Sequence, residues 1–163
     1  MSAPAAFTLR DARLEDAATV RQLVRALAHY ERKLSSFTAL VQDFERALFG
    51  PRPYAQAILA EVAGEAVGVA LYHTTFSTFT GKPGYFLEDL FVQREHRSAG
   101  IGRAFFTEMA RRLKAEGGTS ITWRVLKWNE PSITFYLRLG AKGDPGEWDN
   151  MSLSGDALAR LTA

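Results

Sequence analysis

A short loop with two glycines, Arg97-Ser98-Ala99-Gly100-Ile101-Gly102, separates a predicted strand from a predicted amphipathic helix. The strand, Tyr85–Val92, is almost entirely apolar. After the loop, apolar residues recur every fourth position and therefore share one helical face: Ile101, Phe105, Met109 and Leu113. The first amides of a helix have no partner within it, and the helix dipole favours negative charge there. The loop therefore predicts a pyrophosphate site within a strand–loop–helix unit.

The rest of the chain alternates strand and helix patterns. Further strands are predicted at Ala6–Arg10, Ile58–Val62, Ala66–Phe76, Ser120–Leu126 and in a last segment through Trp148 to Leu153. Further helices are predicted at Glu15–Arg32, Val41–Gly50 and Asn129–Leu139, with a terminal helical turn at Asp156–Leu161 and a loop at Ser77–Gly84. This order predicts one α/β (mixed α+β) domain over residues 1–163, with a mixed central sheet flanked by helices.

Composition narrows the function classes. The 163 residues carry a formal net charge of +2, which suits a polyanionic small ligand but is too small to indicate nucleic-acid binding. There is no cysteine, so disulfides, thiolate metal sites and a cysteine nucleophile are excluded. No apolar run approaches the roughly 20 residues that span a bilayer, and no signal-peptide pattern is present. A cytoplasmic protein without a membrane partner is expected.

Other catalytic and phosphate-binding patterns are absent. Gly81-Lys82 is followed by Pro83 and lacks the upstream glycine of a Walker loop, and Phe105 occupies the place of the third glycine in a dinucleotide fingerprint. No Gly-x-Ser-x-Gly elbow is present. The three histidines have no metal-ligand spacing, so no metal site is predicted.

Two acids, Glu88 and Asp89, interrupt the apolar strand before the loop. Strand neighbours face opposite sides, so one of the two is expected to point into the interior or a cleft. Such an acid can be a structural carboxylate, or a general base or cation anchor beside the phosphate loop. Tyr136, on the helix after Asn129, has the position of a core tyrosine with its hydroxyl at the edge, and Asn129 is a good helix cap.

Together these segments resemble the GNAT superfamily of acyl-CoA-dependent N-acetyltransferases. Residues 97–102 match its R/Q-x-x-G-x-G/A motif. Tyr85–Val92, the block Trp128-Asn129-Glu130-Pro131-Ser132-Ile133-Thr134-Phe135-Tyr136 and Leu27–Glu31 are similar to segments of the diamine (spermidine/spermine) acetyltransferases and their thialysine-acetylating relatives. The resemblance covers essentially the whole chain.

The resemblance implies a role for each segment. The acetyl-CoA site would comprise Leu90, Phe91 and Val92 along the pantetheine, the pyrophosphate loop Arg97, Ser98, Ala99, Gly100, Ile101, Gly102 and Arg103, and Asn129, Ser132 and Tyr136 further along. Tyr136 would act as the acid toward the leaving sulfur and Glu88 as base or amine anchor. Tyr30, Glu31 and Glu88 would contact the acceptor amine. The relatives also imply a homodimer.

Three departures from the family pattern bear on the acceptor and the loop. Ser98 replaces the usual second glycine of the loop, at little cost if its φ is negative. Lys127 stands where a polyamine enzyme has an acid, and Phe79 where it has a tryptophan. The acceptor is therefore expected to be a small primary amine, either a di- or polyamine or a lysine-like amino acid. Two alternatives are a non-catalytic acyl-CoA-binding regulatory module and a protein-lysine acetyltransferase.

Overall fold

In the described part of the chain, five strands form one mixed sheet in the order β1-β2-β3-β4-β5. Their bounds are β1 Phe7–Asp11, β2 Gln56–Val62, β3 Glu65–Ser77, β4 Lys82–Val92 and β5 Ile121–Trp123. The first four strands pair antiparallel in sequence order, and β5 joins β4 in parallel. The predicted mixed sheet is confirmed in a computed structural model that describes residues 6–144, 146 and 149–162.

Three helices, α1 Ala17–Tyr30, α2 Val41–Phe49 and α3 Ile101–Ala115, cover the two faces of this sheet in the described part of the chain. Two further helices follow, α4 Glu130–Arg138 and α5 Gly155–Ala159. The predicted apolar stripe of α3 is buried on one face against Tyr72, Tyr85 and Leu87. Helices α1 and α2 cover the other face, against Leu59, Val69 and Phe91. Each such side chain contributes about 1.5–3 kcal/mol by leaving water, so the two layers hold β4 rigidly between them.

The hairpin of β3 and β4 is longer than predicted. Residues 78–81 alone form its turn, whereas Ser77–Gly84 was expected to be a loop. A Cβ on Gly84 would come within 2.8 Å of the Thr75 hydroxyl oxygen and 3.2 Å of the Ser120 carbonyl oxygen. Gly84 is thus required by close strand packing rather than by a turn, and Pro83 lies near the strand's start, where proline is tolerated.

The chain divides into two units, Met1–Trp128 and Asn129–Ala163. The second contains α4 and α5. The last predicted strand is absent from the described residues 149–153, and Trp148 lies outside the described residues. Met151 and Leu153 are exposed by 91% and 53%, and a three-residue alternation is too short to hold a strand unless a neighbour pairs with it. None of the helices in the described part of the chain is long and apolar enough to cross a bilayer.

Candidate active site

The loop before α3 has the backbone geometry of an anion-binding site. Gly100 is the N-cap of α3, with a left-handed φ of +88°. The Ala104 N–H donates to the Gly100 carbonyl at 3.0 Å, which is the first hydrogen bond of the helix. The amides of residues 101–103 therefore precede the helical ladder and are available to a ligand. A Cβ on Gly100 would meet nothing within 4 Å, so the space beside the loop is open.

Ser98 adopts a strained backbone conformation. Its φ is +67°, not negative, so serine does not replace glycine at little energetic cost here. A left-handed conformation costs an ordinary L-residue roughly 1–2 kcal/mol. The chain carries this strain at the centre of the predicted pyrophosphate loop.

Replacing Ser98 with glycine should therefore stabilise the protein. We expect the free energy of unfolding to rise by about 1 kcal/mol, less than the full strain because glycine also gains entropy in the unfolded chain. Urea denaturation measures the change. Ser98→Ala is the matched control, since alanine removes the hydroxyl but keeps the strained Cβ, and it should give no gain. An equal gain for both variants would show that the hydroxyl, not the backbone, is unfavourable.

The two arginines of the loop, Arg97 and Arg103, differ in what their side chains contact. The Arg97 Nε donates to the Val92 carbonyl at 2.9 Å, and its guanidinium carbon lies 5.2 Å from the Tyr30 ring centroid and 5.7 Å from that of Phe91. The Arg97 side chain therefore fastens the loop to β4 and α1. Arg103, with Gly100, lines an open cleft of about 360 Å³ beside the N-terminus of α3. Open amides and a cation fit a diphosphate ligand.

The end of β4 provides an open backbone edge. Pairing with β5 covers only residues 85–87, so within the described chain residues 88–92 have no strand neighbour on that side. The Gln93 N–H donates to the Val67 carbonyl in β3, and antiparallel alternation then directs the Leu90 and Val92 main-chain groups away from β3. Leu90 thus presents its N–H and carbonyl to an extended ligand, and Val92 presents its N–H, since the Val92 carbonyl already accepts the Arg97 Nε. The Phe91 ring packs on the α1 side of the sheet.

A β-bulge changes where the two acids of β4 point. Leu71 lies opposite Asp89 and Tyr72 opposite Leu87, so Glu88 is an extra residue in β4. The Glu88 carboxylate reaches the His73 ring at 3.2 Å, and His73 shares the strand face of Leu71, which packs on the α1 side. The side chains of Glu88 and Asp89 therefore do not point to opposite faces of the sheet. Both point to the face that α1 covers.

Asp89 is the more enclosed of the two acids. Burial, together with the neighbouring charges of Glu88 and then Glu31, raises the pKa of Asp89 to about 6. Burial also raises the pKa of Glu31, which follows the last residue of α1, although Lys33 opposes this shift. The charges of Glu88 and Glu31 thus act on Asp89 at this end of α1, and such a group of acids attracts an ammonium group.

The raised pKa of Asp89 predicts a pH-dependent stability. The folded state holds the Asp89 proton more tightly than the unfolded state, so this group's contribution declines as the pH rises from about 4 to about 6 and stays unfavourable above. Asp89→Asn should therefore stabilise the protein by about 2 kcal/mol at pH 8 and by little at pH 4. Urea denaturation at both pH values tests this, with the exposed Asp149→Asn as control. A pH-independent difference would contradict it.

Aromatic side chains surround the end of α1. The Tyr30 ring lies 6.0 Å from the Trp128 ring, and the Arg32 guanidinium lies 5.5 Å from the Trp128 centroid. Tyr30 and Glu31, the predicted acceptor contacts, therefore lie where aromatic, cationic and acidic groups come together.

The second unit carries the remaining predicted residues on α4. Asn129 is the N-cap, and its Oδ1 accepts the Ser132 N–H at 3.4 Å, while Pro131 lies in the first turn. The capping role predicted for Asn129 is confirmed. Tyr136 lies two turns on, and its ring contacts Phe135 at 5.3 Å.

The family model of the acetyltransferase (GNAT) family matches residues 19–141. This chain belongs to the GNAT family. Family membership and the fold confirm the predicted GNAT architecture and the predicted N-acetyltransferase class. The family uses acetyl-CoA as co-substrate.

Similar proteins include enzymes that acetylate amines. The chain is 32% identical to thialysine N-epsilon-acetyltransferase from Sus scrofa, over 96% of this chain and 98% of that protein. It is also 32% identical to spermidine/spermine N(1)-acetyltransferase-like protein 1 from Homo sapiens, over 83% of this chain but 20% of that protein. An integron cassette protein from the mobile metagenome of V. cholerae shares the fold, with a TM-score of 0.78 and 20% identity over 96% of this chain and 97% of that chain.

The structure adds His73 to the candidate site and fixes the side of Asp89. The sequence leaves open which of Glu88 and Asp89 points inward, and the bulge that brings Asp89 to the same side as Glu88 has no simple sequence signal. The sequence signal for His73 is that it lies two residues beyond Leu71 on β3 and therefore shares its strand face. Among the described residues no group of three or more His, Asp or Glu could hold a metal ion, and the absence of a metal cofactor stays a prediction.

Proposed function

We propose that this chain transfers the acetyl group of acetyl-CoA to a primary amine of a small molecule by direct attack. The amine nitrogen bonds to the acetyl carbonyl carbon, the carbon–sulfur bond breaks, and the coenzyme leaves as its thiol. The observation that carries the proposal is the junction of β4 and α3. There an open strand edge, unpaired helix amides and two acids follow one another within residues 88–103.

The acyl donor is proposed to bind along this junction. Leu90 would pair with the pantetheine through its outward N–H and carbonyl, and Val92 through its outward N–H. The amides from Ser98 to Arg103, with the Arg103 side chain, would hold the diphosphate. Arg97 would act through its main chain, because its guanidinium is engaged with Val92, Tyr30 and Phe91. Asn129, Ser132 and Tyr136 complete the proposed acetyl-CoA site, as the family resemblance implies.

Glu88 is proposed to prepare the amine for attack. An alkyl amine with a pKa of about 10.4 is protonated at neutral pH, and removing its proton there costs about 5 kcal/mol. The partly exposed Glu88 carboxylate attracts the ammonium and accepts its proton, while Glu31 and Asp89 add negative charge. Tyr136 is proposed to give its phenolic proton to the departing thiolate, so that no covalent enzyme intermediate is needed.

The acceptor that we favour is a lysine-like amino acid. Its side-chain amine would meet the acids, and its carboxylate would meet cations. Lys127 directly precedes Trp128, whose ring lies 6.0 Å from Tyr30, and the Arg32 guanidinium lies over the same Trp128 ring. A second ammonium, as in a di- or polyamine, would be repelled there. The similarity to the Sus scrofa thialysine enzyme over nearly its whole length supports this choice.

An amine panel tests the reaction class. Thiol release from acetyl-CoA should be fastest, by kcat/KM, with thialysine or lysine, slower with putrescine and spermidine, and slowest with a lysine-containing peptide. Preference for the polyamines would overturn the acceptor class, and preference for the peptide would indicate a protein-lysine acetyltransferase. Acetyl-CoA binding without thiol release from any amine would indicate a non-catalytic module.

Reversing the charge of Lys127 should change the preference. We expect Lys127→Glu to raise kcat/KM for spermidine relative to lysine by roughly fivefold, because one charge contact near a protein surface contributes on the order of 1 kcal/mol. Lys114→Glu, at an exposed position on α3, is the control and should leave the ratio unchanged. An unchanged ratio in Lys127→Glu would place this cation outside acceptor recognition.

We further propose that residues 1–163 work as a single domain in a cytoplasmic homodimer, with small-molecule partners and with neither nucleic acid nor a membrane. The family match at 19–141 extends across the boundary between the two units. Phe76 and Phe79, exposed by 69% and 92% at the tip of the β3–β4 hairpin, are an apolar surface suited to a subunit contact. Light scattering measures the oligomeric state, and a gel-shift titration at physiological salt tests nucleic-acid binding.

A further inference from the structure

His73 lies against the proposed amine base. Its Nε2 is 3.2 Å from the Glu88 Oε1, and the two side chains are 35% and 42% exposed. An ionised carboxylate can only accept hydrogen bonds, so the Nε2 atom of His73 carries the proton and donates it to Glu88. The other ring nitrogen, Nδ1, lies 3.5 Å from the Thr74 carbonyl.

The His73 ring is itself held in place. It stacks on Phe86 with centroids 5.4 Å apart and an interplanar angle of 26°. The Arg124 guanidinium also lies against the Phe86 ring, 5.6 Å from its centroid. The ring is therefore oriented by packing, as a group that orients another must be.

Strand alternation places Glu88 beside His73. Leu87 packs on the α3 side of the sheet, so the next residue, Glu88, points to the α1 side, where His73 lies, and the bulge keeps Asp89 on that side as well. Asp89 interacts electrostatically with Glu88, and the Arg124 guanidinium lies against Phe86, the ring on which His73 stacks. A carboxylate in this setting needs a fixed partner if it is to keep one orientation.

We propose that His73 is a positioning residue for Glu88. The hydrogen bond from Nε2 occupies Oε1 and fixes the carboxylate rotamer, which leaves Oε2 to receive the ammonium of the acceptor. This inference rests on the proposed function, because it concerns the carboxylate that handles the amine. It predicts that the loss of His73 affects turnover of the amine and leaves acetyl-CoA binding unchanged.

Two substitutions separate the hydrogen bond from the ring. His73→Phe keeps a ring that can stack on Phe86 but removes the donor. His73→Gln loses the ring but keeps an N–H at a similar distance from the backbone. We expect His73→Phe to lower kcat/KM for the amine about tenfold, the usual effect of losing a hydrogen bond to a charged group. His73→Gln should stay within about threefold of the unchanged protein. The dissociation constant of acetyl-CoA, measured by calorimetry, should be the same in both.

A double-mutant cycle with Glu88→Gln decides the mechanism. If His73 acts through Glu88, His73→Phe should cause no further loss in a Glu88→Gln background. If the losses caused by His73→Phe and Glu88→Gln multiply, the two residues act independently and the positioning role is wrong. Equal activity of His73→Phe and His73→Gln would also overturn it. Full activity of Glu88→Gln alone would instead refute the proposed base, and inactivity of the unsubstituted protein toward every amine would refute the proposed function. Circular dichroism and thermal melting verify that each variant is folded.

Discussion

Replacing Tyr136 with phenylalanine should lower kcat by at least about 100-fold, the usual contribution of a positioned general acid. The proposed role of Tyr136 is to supply a proton to the thiolate as the carbon–sulfur bond breaks. A phenol with a pKa of about 10 keeps its proton at neutral pH and can supply it at that moment. Phenylalanine keeps the ring that contacts Phe135 on α4 but has no proton to give. Steady-state kinetics with saturating lysine and acetyl-CoA measures the effect.

Binding and turnover should separate in the Tyr136→Phe variant. The hydroxyl is needed mainly as the bond breaks, so the dissociation constant of acetyl-CoA should change by less than about threefold. Tyr54→Phe is the matched control, because it removes a hydroxyl from an exposed tyrosine in the segment between α2 and β2. If kcat barely changes in Tyr136→Phe, another group or water protonates the thiolate.

The parts of the fold that depend on local spacing were predictable. The four buried residues of α3 and the four apolar residues of α1 (Val20, Leu23, Val24 and Leu27) follow the helical period directly. The strands predicted at Ile58–Val62 and Ala66–Phe76 also agree closely with β2 and β3, which join at Ala63 and Gly64, both with positive φ. In each case the pattern involves residues within a few positions of one another in the sequence, and the tertiary packing is consistent with that pattern.

Features that depend on a distant partner were not predictable in the same way. Gly84 has the sequence appearance of a turn residue, but contacts with Thr75 and with Ser120 make it a strand glycine. The length of β5 is set by where its pairing with β4 ends, which nothing in Ser120–Leu126 encodes. The expected strand toward Leu153 had alternation, but among the described residues no strand pairs with residues 149–153 to fix it.

The candidate site shows the same division. The loop between β4 and α3 was predictable as a strand–loop–helix junction because its glycines, flanking strand and helix are contiguous, and its binding of a pyrophosphate stays a prediction. The acidic end of β4 was predictable in composition but not in geometry, because one bulge keeps Asp89 on the same side of the sheet as Glu88. The energetic cost of serine at position 98 depends on the sign of its φ, and the sequence does not give that sign. The structure gives φ = +67°.

Replacing Glu88 with glutamine should lower kcat/KM for the amine by about 100-fold at pH 7, since the change removes both a charge that attracts the ammonium and the group that accepts its proton. The defect should shrink as the pH rises toward 10, because a growing fraction of an alkyl amine with a pKa of about 10.4 is then already deprotonated in solution. The ratio of wild-type to variant kcat/KM, measured from pH 7 to pH 10, isolates this effect.

Two further variants make the Glu88 assignment decisive. Glu65→Gln, in which an exposed acid at the start of β3 changes in the same way, should leave kcat/KM unaltered. Asp89→Asn tests the other acid, whose pKa near 6 would also suit a base at neutral pH. If Asp89→Asn causes the pH-dependent loss and Glu88→Gln does not, the proton goes to Asp89, and Glu88 with His73 serves only to hold the amine. If neither variant shows a loss that declines with pH, neither acid is the base, and the amine must lose its proton before it reaches the site.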